Sequence, residues 1–207
     1  MSQLIACQNA HGIILATDSV AAVFSPAGEL RYEKVDRMLQ LGPQAAILTG
    51  GAADGIHMCE ALKSFVQEEG LKDIQEIYQA ALTFLAVEFE RFMRKRCEVI
   101  PLDPIHQLYF ILGGHMAGDL DRPFRLYLLW TKRKLPRLDG DEIVVAFTAP
   151  RIMGLEYRLN QFCQANTPLP DILPGIRKAM EEQSQKNEEI GPPFSFGFIT
   201  KEGFERA

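Results

Sequence analysis

The spacing of apolar residues predicts a series of strands in the first quarter of the chain. Apolar residues run almost continuously through residues 3–8 and 13–17, on either side of a turn that contains Gly12, and such runs are typical of strands. The run at 13–17 has no polar alternation, which predicts a strand covered on both faces. Three further strands are predicted at residues 20–24, 34–42 and 45–51.

The period of the apolar residues then changes from that of a strand to that of a helix. Between residues 53 and 68 they recur on one side of a helix, and a second, longer helix is predicted over residues 74–96. The second helix ends in three cations, Arg94, Lys95 and Arg96, which suit the negative end of a helix dipole.

Strand patterns return in the second half of the chain. The predicted strands lie at residues 107–112, 124–130 and 142–147. Pro150 is expected in the first turn of a helix, and another helix is predicted over residues 171–185. Alternating phenylalanines over residues 193–200 predict a closing strand with one buried face.

The order of these elements predicts the fold class. Strands, two helices, strands, two helices and a strand do not follow the alternating rhythm of a parallel sheet. The order favours an α+β fold, a four-layer αββα sandwich of two antiparallel sheets with a helix pair on each outer face. No repeat or linker divides the chain, so residues 1–207 are expected to form one domain.

Composition and charge narrow the function classes. The chain is 47% hydrophobic and 24% charged with a net charge of −5, which favours a soluble globular protein and disfavours a general nucleic-acid binder. No apolar run reaches the ~20 residues of a membrane helix, and no signal peptide is recognisable. We therefore expect a cytoplasmic protein. Cysteine and histidine are scattered, so we expect reduced thiols, no metal site and no cofactor.

The first residues combine two groups that can act together in catalysis. Removal of Met1 would leave Ser2 with a hydroxyl and a free α-amine, whose pKa of about 7.7–8.0 suits a general base. One residue could then supply both nucleophile and base. A cation lowers the pKa of such an amine, and Lys34 is predicted to be that cation, held by Asp18. Neighbouring antiparallel strands can bring Ser2, Asp18 and Lys34 together.

A donor for a developing oxyanion is expected at Gly50–Gly51. These glycines precede the first predicted helix, so their backbone N–H groups are free and the helix dipole points favourably. Amide hydrolysis by an N-terminal serine is therefore a coherent hypothesis from the residues alone.

The chain resembles the proteasome-type N-terminal nucleophile hydrolases, in particular bacterial proteasome β-subunit-like members. The resemblance rests on the spacing of Ser2, Asp18 and Lys34 and on the segments "GIILATDSVA", "AAILTGGAADG" and "FILGGHMAGD…FRLYLL". It implies the αββα fold and a peptidase with Ser2 as nucleophile, assisted by Asp18 and Lys34, with Gly50 as the oxyanion amide. It also implies a substrate pocket near Ala21, Leu48, Gly51 and Ala52.

The same resemblance implies partners. Members of the family act as homo-oligomeric rings on peptides or unfolded proteins, some with an ATP-dependent unfoldase. The sequence departs from the family at several positions. Serine replaces the usual threonine at residue 2, and "AFT" at residues 146–148 replaces "GSG". Asn187 and Ile190 stand where a supporting aspartate and a supporting serine are usual.

Two other functions stay open. A ring-forming subunit that assembles without cleaving would keep Asp18 and Lys34 as a structural ion pair. A small-amide hydrolase of the same superfamily is the third reading, although the chain lacks long insertions that would build a deep pocket.

Overall fold

The computed structural model describes residues 2–24, 30–97, 108–131 and 138–207. Within them the strands are β1 (Leu4–Asn9), β2 (Gly12–Thr17), β3 (Val20–Phe24), β4 (Leu30–Lys34), β5 (Met38–Gly42), β6 (Ala45–Gly51), β7 (Leu108–His115), β8 (Phe124–Thr131), β9 (Leu138–Glu142), β10 (Ala146–Ala149), β11 (Ser195–Ile199) and β12 (Phe204–Arg206). The helices are α1 (Asp54–Glu68), α2 (Ile74–Cys97), α3 (Met153–Gln164) and α4 (Leu169–Ser184). Met1 and residue 107, which the predictions above involve, lie outside the described residues.

The strands form two five-stranded sheets and a hairpin. One sheet has the order β10-β1-β2-β11-β12, the other has the order β5-β6-β7-β8-β9, and β3 pairs with β4. Every strand pair is antiparallel. Strands that are far apart in sequence therefore lie side by side, as the grouping of elements in the sequence predicts.

Successive side chains along a strand point to opposite faces of the sheet. The buried side chains of the described residues therefore form three hydrophobic cores. In β6, Ala45 and Ile47 pack with α1 and α2, whereas Leu48 faces the other way into a core shared with the first sheet. In β1, Leu4 joins that shared core and Ile5 packs with α3 and α4. Because β1 and β6 both reach the shared core, the start of β1 and the end of β6 lie close together.

Two predicted strands are wrong. Residues 34–42 do not form one strand, because β4 ends at Lys34 and β5 begins at Met38. Residues 142–147 do not form a single strand, because the chain leaves the second sheet after Glu142 and enters the first at Ala146. The crossing is fixed by hydrogen bonds, since Gln8 Nε2 donates to the carbonyls of Ile143 (2.9 Å) and Val144 (2.8 Å). A change of sheet leaves no mark on the local apolar pattern.

The predicted position of Pro150 is also wrong. Pro150 lies three residues before α3, which begins at Met153. The turn is instead held by Thr148, whose N–H and hydroxyl both donate to Glu156 Oε1 at 2.9 and 2.8 Å. Thr148 Oγ1 also accepts the N–H of Ile152 at 2.6 Å. The side chain of Thr148 thus satisfies a backbone donor that a helix start leaves unpaired.

Gly114 is expected to be intolerant of a side chain. An ideal Cβ there would lie 2.6–2.8 Å from three side-chain atoms of Ile74 at the start of α2. Gly114→Ala should lower the free energy of unfolding by about 1–3 kcal/mol through overpacking, measured by urea denaturation. Gly118→Ala meets nothing within 4 Å and is the matched control. Equal stabilities for the two variants would contradict this packing.

Candidate active site

Ser2 lies buried just before β1, with its hydroxyl fixed by a backbone donor. It is 6% exposed, and its Oγ accepts the N–H of Gly51 at 2.8 Å. Gly51 has φ = 93°, a conformation that glycine adopts without steric cost. Gly51, the last residue of β6, therefore fixes the position of the Ser2 hydroxyl.

Gly50 contributes space beside Ser2. The N–H that contacts the Ser2 hydroxyl belongs to Gly51, and the role of Gly50 as the oxyanion amide stays a prediction. An ideal Cβ on Gly50 would lie 2.9 Å from Ser2 Oγ and 3.0 Å from Leu4 Cδ1. The absence of a side chain at Gly50 is what lets the start of β1 approach β6 this closely.

Asp18 holds the peptide unit that follows Ser2. It is fully buried between β2 and β3, its Oδ1 accepts the N–H of Gln3 at 2.8 Å, and its Oδ2 accepts the N–H of Val20 at 3.2 Å. Burial raises the pKa of Asp18, while the bond from Gln3, the charge of Arg37 and the bond from Val20 oppose the rise. The carboxylate thus joins the start of β1 to the start of β3.

Lys34 lies at the surface, and its role as the cation beside Ser2 stays a prediction. It is the last residue of β4, opposite Val20 in the hairpin, and it is exposed. The preceding described residues of β4, from Arg31 to Glu33, are exposed as well. Side chains on both faces of β4 are therefore exposed at its end. The alternation of polar and apolar residues in the sequence does not predict this exposure.

The buried cation of this region is Arg37. It is 1% exposed, and its Nη2 donates to the carbonyl of Val20 at 2.9 Å. Burial lowers the pKa of the guanidinium, and the charge of Asp18 opposes that change. Sequence reasoning missed Arg37. The only signal was its place three residues after Lys34 in "KVDR", and a lone arginine there is ordinarily a surface residue.

The residues predicted to line a substrate pocket do not share one surface. Leu48 has no exposed surface and packs in the core between the sheets, so its predicted contact with substrate is wrong in this structure. Ala21 is 1% exposed. Gly51 and Ala52 are half-buried, and Ala52 packs against the core beneath α1 and α2. A pocket beside Gly51 and Ala52 stays a prediction.

The C-terminal segment that contains Asn187 and Ile190 closes the site from another side. Asn187 Oδ1 accepts the N–H of Glu189 at 3.0 Å, and the carbonyl of Asn187 accepts the N–H of Ile190 at 3.0 Å. Both bonds are local to the turn. One residue further on, the carbonyl of Gly191 accepts the N–H of Ser19 at 3.3 Å, which brings this turn against the residue that follows Asp18.

Within the described ranges, no three side chains of His, Cys, Asp or Glu come together as ligands for a metal ion. In the same ranges, no helix has the length and apolar composition that crossing a bilayer requires.

Comparison with known proteins identifies the fold. No family model matches the chain, and no curated protein matches it in sequence. Among solved structures, Anbu (ancestral beta-subunit) from Yersinia bercovieri matches with a TM-score of 0.67 and 14% sequence identity, over 99% of this chain and 86% of that chain. An identity this low shows the fold alone. The chain therefore has a proteasome-like fold similar to that of Anbu.

Proposed function

We propose that this protein is a proteasome-like peptidase subunit that hydrolyses peptide bonds with Ser2, once removal of Met1 has freed the α-amine. The observation that carries the proposal is the buried Ser2 hydroxyl held 2.8 Å from the N–H of Gly51 within a proteasome-like fold. The three cores, each between two layers of sheets or helices, support the four-layer αββα arrangement of N-terminal nucleophile hydrolases.

The proposed reaction uses groups that lie at one place. Ser2 Oγ attacks the carbonyl carbon of the peptide bond, and its proton passes to the α-amine of the same residue. The backbone N–H of Gly51 and that of Gly50 stabilise the negative charge that develops on the carbonyl oxygen. The amine of Ser2 donates the proton to the leaving nitrogen as the C–N bond breaks, which releases the amine product and leaves the acyl group as an ester on Ser2. Water then hydrolyses that ester, releases the acid and restores the hydroxyl.

The proposed assembly is a cytoplasmic homo-oligomeric ring that takes unfolded protein, with an ATP-dependent unfoldase as a further partner. The likeness to Anbu, described as an ancestral beta-subunit, supports a role as a subunit through the fold. A second support is apolar surface on α3, where Met153 is 80% and Tyr157 is 65% exposed. Residues four apart lie on one face of a helix, and a neighbouring subunit would cover that face.

A non-catalytic ring subunit is the second candidate. Two observations favour it. Lys34 is exposed, and the positions of the supporting aspartate and serine hold Asn187 and Ile190, whose contacts are local. In this candidate Ser2, Asp18 and Gly51 only anchor the start of β1, and the chain retains Met1.

Reaction with a peptide epoxyketone tests the proposal, because this electrophile requires a hydroxyl and an amine on the same terminal residue. We expect the intact mass to show loss of Met1 and one covalent adduct, which peptide mapping places on Ser2. Ser2→Ala is the control and should form none. A processed chain that stays unmodified, or a chain that retains Met1, would favour the non-catalytic subunit. Short peptides and small amides, compared as substrates, would separate a peptidase from a small-amide hydrolase.

A further inference from the structure

Arg37 is fixed in the interior at both its backbone and its side chain. Its carbonyl accepts the N–H of Thr49 at 3.0 Å, and Thr49 directly precedes Gly50 and Gly51. Its Nη2 donates to the carbonyl of Val20 at 2.9 Å. Arg37 therefore connects the end of β6, which contacts the Ser2 hydroxyl, with the start of β3.

Arg37 and Asp18 meet at the same residue. The N–H of Val20 donates to Asp18 Oδ2 and the carbonyl of Val20 accepts from Arg37, so the carboxylate and the guanidinium lie on either side of one residue. The other carboxylate oxygen, Oδ1, accepts the N–H of Gln3. A series of hydrogen bonds thus runs from Arg37 through Val20 and Asp18 to Gln3, the residue that follows Ser2.

The guanidinium of Arg37 has more hydrogen-bond donors than the described residues accept. Its Nε and Nη1 are buried and find no hydrogen-bond partner among the residues that the structure describes. A buried cation is costly unless an opposite charge compensates it. Asp18, itself fully buried, is the charge to which Arg37 is electrostatically coupled. The charge of each group opposes the change that burial makes in the pKa of the other.

We propose that Arg37, and not Lys34, is the positioning cation of the Ser2 site, which holds Asp18 as a carboxylate against the N–H groups of Gln3 and Val20. This inference rests on the proposed function for its catalytic consequence. Arg37 acts through Asp18, so it is a positioning residue. Its loss would let Asp18 take up a proton, weaken the anchor on Gln3 and move the Ser2 hydroxyl away from Gly51.

The groups that face Asp18 determine how pH acts on the site. They are the N–H of Gln3 before β1, the N–H of Val20 in β3, and the guanidinium of Arg37 before β5. In the processed chain the α-amine of Ser2 adds a second titrating group. A nearby opposite charge lowers a carboxyl pKa by about 1–3 units, so removal of the Arg37 charge should raise the pKa of Asp18 by a comparable amount.

Three variants separate the two cations. Arg37→Gln removes the charge and keeps a donor for Val20, Arg37→Lys keeps a charge, and Lys34→Gln is the matched control. The first readout is the ¹³C titration of the Asp18 carboxyl, assigned with Asp18→Asn. The second is the rate of Ser2 modification by the epoxyketone across pH 5–9. Circular dichroism checks that each variant folds.

We expect Arg37→Gln to move the Asp18 midpoint upward by about 1–3 pH units and to lower the modification rate at pH 7 by at least about tenfold, the effect of one pKa unit. Arg37→Lys should recover part of both, and Lys34→Gln should match the wild type within twofold. An unchanged Asp18 midpoint in Arg37→Gln, or a loss in Lys34→Gln as large as in Arg37→Gln, would overturn the inference.

The outcomes distinguish this inference from the proposed function. A wild-type protein that never forms an adduct contradicts the peptidase proposal, and the Asp18 titration still decides whether Arg37 governs that carboxyl. Should Arg37→Gln fail to fold, the other two variants decide. A wild-type midpoint in Lys34→Gln and a midpoint near it in Arg37→Lys support Arg37. A shifted midpoint in Lys34→Gln assigns the role to Lys34.

Discussion

Asp18→Asn is expected to lower the free energy of unfolding by about 1–3 kcal/mol at pH 7, the cost of leaving a buried donor unsatisfied. Asparagine offers one side-chain oxygen, whereas Asp18 accepts two backbone N–H groups, from Gln3 and Val20. One of these two donors therefore loses its acceptor in the variant.

Urea denaturation measures this loss, with Asp121→Asn at an exposed position as the matched control. The control should change stability by no more than about 0.5 kcal/mol. If both variants lost the same small amount, the two backbone bonds to Asp18 would not contribute to stability.

The stability difference between wild type and Asp18→Asn should depend on pH. Burial raises the pKa of Asp18 in the folded protein, so the folded state binds this proton more tightly than the unfolded state. Stability from Asp18 is therefore full below the unfolded-state pKa and falls as pH rises through the folded-state pKa. Asparagine does not titrate, so the variant lacks this contribution to the pH dependence of stability. The difference in unfolding free energy between wild type and Asp18→Asn should thus be larger near pH 4 than near pH 8.

Gly50→Ala is expected to abolish most of the reactivity of Ser2 while leaving a folded protein. The new methyl carbon would lie 2.9 Å from Ser2 Oγ, so the hydroxyl must turn away from the N–H of Gly51. Loss of one such backbone contact in an active site costs about 10²–10³ in rate. The rate of Ser2 modification by the epoxyketone at pH 7 measures this effect.

Gly154→Ala supplies the control, because a Cβ there meets nothing within 4 Å. Alanine in the first turn of α3 should change stability by no more than about 0.5 kcal/mol and leave the rate unchanged. Gly50→Ala with a wild-type rate would show that the close approach of Ser2 to Gly50 does not govern its chemistry.

Local periodicity was sufficient for the elements that bury a regular face. The predicted helix at 53–68 corresponds to α1, and the predicted strands at 13–17 and 45–51 correspond to β2 and β6. In each, the period of two or 3.6 persists over enough residues to identify the element. Periodicity failed at β9 and β10, where one apolar stretch is shared between two sheets, because sheet membership depends on distant partners.

The sequence by itself determined that a serine, a carboxylate and a glycine pair stand at spacings that antiparallel strands can bring together, and the structure places Ser2, Asp18, Gly50 and Gly51 side by side. Only the tertiary structure decided which cation is buried in this region. The β3–β4 hairpin leaves Lys34 at the surface, and the chain turns inward before β5, which buries Arg37 beside Asp18. Spacing along a strand gives the face of a residue, whereas burial depends on what packs against that face.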